Sequence, residues 1–178
     1  MRTTCTLTLV LLSVVIPTLG VAAEVVATPA DEAMVRTMDA GTLTLVRFEI
    51  PEAARAGRIT RAVLRYTIDG PAKEMAVMAH RAPETWDSRT VDARWWDAAC
   101  NAIQKTDVAA FESGDGATDV VELDVTQWVR DWARSPALNF GVVLRSPESG
   151  RESTDPATEA RLVTPTLRVL FRPSASKE

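Results

Sequence analysis

The chain has 178 residues and a formal net charge of −4, a length that suits one domain with a single core rather than two. Such mild acidity argues against nucleic acid or an anionic membrane surface as the partner. Two cysteines and one histidine exclude a disulfide-stapled scaffold and a histidine-rich zinc centre.

The chain opens like a secretory signal. Arg2 supplies a positive start, residues 7–16 a short apolar core, and Val21-Ala22-Ala23 a small-residue cleavage point. That apolar run is too short for a bilayer core of about 30 Å. Cleavage after Ala23 is therefore expected, giving a secreted, periplasmic or extracellular protein without a membrane span. No cysteine follows the small residues, so no acyl anchor is expected. Losing the leader also removes Cys5, and the remaining Cys100 reads as a buried, inert thiol.

Alternating strands follow. Val46, Phe48 and Ile50 alternate with Arg47 and Glu49, and Pro51 ends that run. Ala62, Leu64, Tyr66 and Ile68 alternate with Arg61, Arg65 and Thr67. Asp69-Gly70-Pro71 then predicts a turn into a strand over residues 75–81, where His80 reads as a structural histidine. Residues 86–105 have a weakly helical look, with Trp95, Trp96, Ala99 and Ile103 at helix-like intervals.

The period then changes inside one segment. Val121, Leu123 and Val125 alternate with Glu122 and Asp124, which predicts a strand. From Val125 the apolar residues fall at Val125, Trp128, Val129 and Trp132, which is one face of a helix. Thr126 or Asp124 can cap that helix, and Ser135-Pro136 stops it. Its tryptophans are expected to plug one end of the fold. Residues 146–161 read as a long exposed loop. Two further runs, Phe140, Val142, Leu144 and Leu167, Val169, Phe171, complete the strands. The expected fold is all-β: an antiparallel, jelly-roll-like β-sandwich over residues 24–173, with one short helix after Asp124-Val125-Thr126 and a disordered tail at 174–178.

Residues that carry chemistry are few. Five Trp beside one Tyr is a skewed aromatic set, and flat indole faces suit sugar rings. Trp86 falls in a loop and Trp95-Trp96 cannot both point inward, so Trp86, Trp95 and Trp96 are the candidate ligand contacts. Core packing is the plainer reading of the same residues. Asp115 and Asp119, in an acidic Gly-rich loop, are candidate calcium ligands, although a solvated turn explains that loop more simply and its spacing is not that of an EF-hand. No nucleophile elbow accompanies His80, and no carboxylate pair stands out. No catalytic residue, metal ligand set or cofactor is assigned.

Four stretches taken in order resemble the DNRLRE family of exported domains, which is related to disaggregatase-type repeats and to carbohydrate-binding modules. They are Val46-Arg47-Phe48-Glu49-Ile50-Pro51, Ile59-Thr60-Arg61-Ala62-Val63-Leu64-Arg65-Tyr66, Trp86-Asp87-Ser88-Arg89-Thr90-Val91 continuing to Trp95, and Glu122-Leu123-Asp124-Val125-Thr126 through Trp132 to Asn139-Phe140-Gly141-Val142-Val143-Leu144. Pro165-Thr166-Leu167-Arg168-Val169 closes the likeness, which spans residues 43–173. Ser88 departs from it, since the family favours Glu there. The resemblance implies a jelly-roll sandwich and a non-catalytic module that binds polysaccharide or another cell-surface component. A structural or adhesive surface protein, and a polysaccharide hydrolase or lyase, are the alternative readings.

Overall fold

A computed structural model describes residues 22–37, 41–69, 76–103, 108–112, 118–145 and 161–174. The expected candidate ligand Asp115 and the expected loop at 146–161 lie outside these residues, except for Arg161, which begins a strand. The first sheet comprises β1 (Ala23–Ala27), β4 (Arg58–Asp69), β7 (Thr118–Asp124) and β9 (Arg161–Arg172), in the order β1-β9-β4-β7. The second comprises β2 (Asp31–Thr37), β3 (Gly41–Arg47), β5 (Ala76–Arg81), β6 (Val108–Glu112) and β8 (Val142–Arg145), in the order β2-β3-β8-β5-β6. Every pairing among them is antiparallel.

The period of two explains the first sheet. Val25, Val169 and Ala62 lie in one cross-strand row, and Ala27, Leu167, Leu64 and Leu123 in the next. These residues point inward to a core shared with Val46, Ala79, Val142 and Leu144 of the second sheet. Their sequence neighbours Glu24, Arg65, Glu122 and Arg168 face water. The inner face is apolar and the outer face carries these charges among scattered apolar residues, so a one-residue slip would bury the charges, and the register is fixed.

The second sheet behaves differently. Leu43, Leu45, Val46, Val142, Val143 and Leu144 are all fully or almost fully buried, so β3 and β8 are covered on both faces. Their outer face packs into a second apolar cluster with Ala33, Val35, Ala82, Trp86, Trp96 and Ala99. The cover is the segment from Ala82 through the helix α2 (Ala93–Ile103). Strands buried on both faces read as continuous apolar runs, which is why the run expected at 46–50 proves to be a strand over 41–47, with residues 48–51 outside any strand.

Three helices are present among the described residues rather than the single one expected. The expected helix is α3 (Thr126–Arg134), which a 3-10 turn at Pro136–Leu138 follows. The others are α2 and α1 (Glu52–Ala56), the latter filling the β3–β4 connection with Ala54 buried. α2 was legible only as weak helical spacing, because its apolar stripe is short: Trp96 and Ala99 are buried and Trp95 and Cys100 half-buried. Its start is held by Asp92, whose Oδ1 accepts the Arg94 N–H at 2.9 Å. Cys100, expected to be buried, sits at the rim of the second cluster and donates to the Asp97 carbonyl at 3.4 Å.

β8 enters the sheet through Gly141, at φ 91°. A Cβ there would strike the Val46 carbonyl oxygen, and the Gly141 carbonyl accepts the Ala82 N–H at 2.9 Å. Glycine is required on both counts. Gly141→Ala should lower stability by at least about 1–3 kcal/mol, measured as a fall in the urea midpoint at unchanged slope; an unchanged midpoint would refute this account of the turn.

Candidate functional site

Trp86 and Trp96, two of the three expected sugar contacts, are each only 5% exposed. The Trp86 indole N–H donates to the Phe140 carbonyl at 2.6 Å, and the Arg47 guanidinium lies over its ring at 5.3 Å. Arg145 stands 6.0 Å from the Trp96 ring. Each cation covers one indole face, and each contact of this type contributes about 0.5–2 kcal/mol. Trp95 is half-buried and donates to the Thr85 carbonyl at 3.3 Å. The structure thus brings the three tryptophans to one side of the second sheet, turned into it. Asp119 lies on β7, paired with Ile68. Among the described residues no three of His, Cys, Asp and Glu gather into a metal-binding group, and no helix is long and apolar enough to cross a membrane. His80 occupies β5, 9% exposed.

The joint between β7 and α3 builds a different site. Where β7 leaves β4, the Val125 N–H still donates to the Ala62 carbonyl at 3.0 Å. The Ala62 N–H donates in turn to the Thr126 hydroxyl at 2.9 Å. That hydroxyl has one proton, shared between the Ala62 carbonyl at 3.4 Å and Asp124. Thr126 therefore spends its side chain on β4 and does not cap the helix, as half of the expectation had it. Asp124 takes the other half: its Oδ1 accepts the Thr126 N–H at 2.9 Å. Hydrogen bonds from Thr126, then the charges of Arg61 and Arg130, hold the Asp124 carboxyl below the ordinary aspartate range.

From this start, α3 drives Trp128, Val129 and Trp132 into the shared core, each at most 4% exposed. The two indoles meet at 6.4 Å with a tilt of 53°, within the range of favourable aromatic pairs. The outer face of α3 is tied to both sheets. Arg130 donates to the carbonyls of Ile59 (3.1 Å) and Thr60 (3.3 Å) in β4, and Asp131 pairs with Arg81 of β5 at 3.2 Å.

Two clefts flank this helix. One, of about 430 Å³, runs between Phe48, Glu49, Ile50, Trp132 and Asn139, with Arg47 and Arg55 at its sides. Asn139 spans its floor by donating to the Phe48 carbonyl at 2.8 Å, while its Oδ1 is buried without a partner. The other, of about 600 Å³, lies between α1 and α3 and is lined by Arg55, Arg58, Arg130 and Arg134 with Gly57, Ile59, Gln127 and Ala133. Four arginines and no acidic residue are among the residues that line it. Arg55 and Arg58 come from 70 or more positions away from Arg130 and Arg134 in sequence, so reading along the chain misses the cluster. The one available signal is the i,i+4 spacing of Arg130 and Arg134, opposite the tryptophan face.

A third charged region covers the outer face of the first sheet. Arg168 forks onto Glu24 through Nε (2.7 Å) and Nη2 (2.8 Å). That bond holds the Glu24 carboxyl below its usual range. Neither a protein-family model nor a curated protein matches this chain.

Two outcomes follow. With Trp86, Trp96, Trp128 and Trp132 all inside, emission should be blue, and iodide should quench only the minor fraction due to Trp95; a largely quenchable, red-shifted spectrum would contradict the packing. Asp124 has a lowered carboxyl, so its contribution is complete above the ordinary aspartate value and fades as pH falls through the lowered one. Asp124→Asn should therefore flatten the fall in melting temperature below about pH 4 relative to the parent, and an equally steep acid limb would remove the role given to this carboxylate.

Proposed function

We propose that the protein is an exported, non-catalytic binding module that holds polysaccharide at the cell surface, built as a jelly roll of the DNRLRE type. The strand order supports the jelly roll. With β2 set aside as an added edge strand, the remaining eight run 1-8-3-6 in one sheet and 2-7-4-5 in the other, the nesting of two Greek keys. The Asp124-Val125-Thr126 joint, which carries the family likeness, has a structural task at the place where the likeness is strongest. The residues of the leader expected at 1–23 support export.

The observation that carries the binding reading is the cleft between α1 and α3. It is open, and its arginines present forked donors of the kind that grip oxyanions on a sugar chain. Polysaccharide is thus held through charge and hydrogen bonds, with the indoles serving the core. A second reading, a structural or adhesive surface protein, draws on the burial of Trp86 and Trp96.

Affinity electrophoresis of residues 24–178 through gels containing neutral or acidic polysaccharides separates the two. Retardation by at least one polysaccharide, unchanged in Trp86→Phe, is expected. Migration unaffected by every polysaccharide would overturn the binding reading and leave the structural one.

A further inference from the structure

We infer that the cleft between α1 and α3 is an oxyanion site for a sulfate, phosphate or carboxylate group, and that Asp131 sets its affinity by competing for Arg134. That the anion is carried on a sugar chain rests on the polysaccharide reading above; the site itself does not.

The chain is acidic overall, yet this cleft gathers four arginines. Net charge averages over the surface, whereas a ligand meets the local field. Holding four like charges together, with only Asp131 and Asp124 nearby to offset two of them, costs free energy that a bound anion recovers. The Arg55 and Arg58 side chains form no ion pair or hydrogen bond with any described residue, their backbone groups alone being bonded, in α1 and in the β4–β9 ladder. Neither is needed to hold the fold, and both are available to a ligand. Arg130 is preset rather than free: its bonds to the Ile59 and Thr60 carbonyls use two of its five N–H donors and fix the guanidinium in place. A preset donor loses little freedom when an anion arrives.

Arg134 is held back. Asp131 already accepts from Gln127 Nε2 at 2.9 Å on one oxygen and from Arg81 Nη1 at 3.2 Å on the other. Its contact with Arg134 is longer, 3.6 Å, and the Arg134 side chain is 72% exposed. Exposed pairs of this kind contribute little, so Arg134 can exchange Asp131 for a ligand oxyanion at small cost. Asp131 is an internal rival for the fourth arginine and a positioning residue for the site.

The test uses residues 24–178 with sodium sulfate and sodium phosphate as probes, at constant ionic strength set with chloride. Calorimetry and the shift in melting temperature are the readouts. Gel retention on dextran sulfate, polygalacturonate and plain dextran follows. Saturable sulfate or phosphate binding is expected, lost in the Arg55→Gln/Arg58→Gln double variant. That variant should keep its circular dichroism and melting temperature, because neither side chain bonds within the fold. Arg134→Gln should weaken binding about tenfold or more. Asp131→Asn should tighten it several-fold. Arg81→Gln is the control: it loses the same Arg81–Asp131 pair but keeps the Asp131 charge, and it should not tighten binding.

No binding of either anion, or binding that survives the double variant, overturns the site. Failure of Asp131→Asn to tighten binding, or equal tightening by Arg81→Gln, overturns the role of Asp131. Retention on plain dextran without sulfate or phosphate binding sinks the oxyanion site and keeps the polysaccharide module. Sulfate or phosphate binding with no retention on any polysaccharide does the reverse. If the site holds, dextran sulfate retained where polygalacturonate is not assigns a tetrahedral group, and the converse assigns a carboxylate.

Discussion

The hydrogen bonds between Thr126 and Ala62 decide how the rest of the molecule is arranged. When β7 turns away from β4 to become α3, the next pair of backbone groups on β4 loses its ladder partner inside a dry core. Unpaired buried backbone groups cost free energy comparable to a lost hydrogen bond. Val125 satisfies the Ala62 carbonyl and the Thr126 hydroxyl satisfies the Ala62 N–H. The strand thus ends without an orphan, and the helix starts at a fixed point and angle. That launch point sends Trp128 and Trp132 between the sheets and leaves Arg130 and Arg134 outside. Arg130 then fastens the carbonyls beside a register shift in β4, between Ile59 and Arg61. A short polar side chain at the end of one strand therefore governs both the plug of the core and the geometry of the cationic cleft.

The second sheet meets its constraint differently. It carries apolar residues on both faces and must be covered twice, once by the first sheet and once by the segment with Trp86 and α2. Two large indoles supply much of that second cover, with an arginine over each. Tryptophan is suited to this work because one side chain covers a wide area with few rotatable bonds. The aromatic excess thus has a structural cause.

The parts of this fold that can be read from sequence are those where one side of an element meets water. Residues 64–67 and 167–169 alternate because Arg65 and Arg168 face solvent while Leu64 and Leu167 do not. The change of period at Val125 is legible for the same reason, since Glu122, Asp124, Gln127 and Arg130 mark the outside throughout. Alternation fails at Leu43-Thr44-Leu45-Val46 and at Val142-Val143-Leu144, where no residue in the run meets water. It also fails for α1, five residues long, in which only Ala54 is buried. The cleft was out of reach because its arginines converge only after α3 has folded back beside α1. The tryptophans stand out by composition, but composition carries no information on which way a side chain points.

The pairing of β1 with β9 sets Ala23 opposite Phe171, and Ile59 lies on the other side of Phe171. The same row therefore holds the start of the first strand, the end of the last, and a residue of the cleft wall. Ser174 carries this further by donating to the Ala56 carbonyl at the end of α1. Chain entering at residue 22 and chain leaving at residue 174 are thus neighbours, like the two ends of a handle. The first strand, the last strand and the wall of the arginine cleft are therefore braced by one row of side chains.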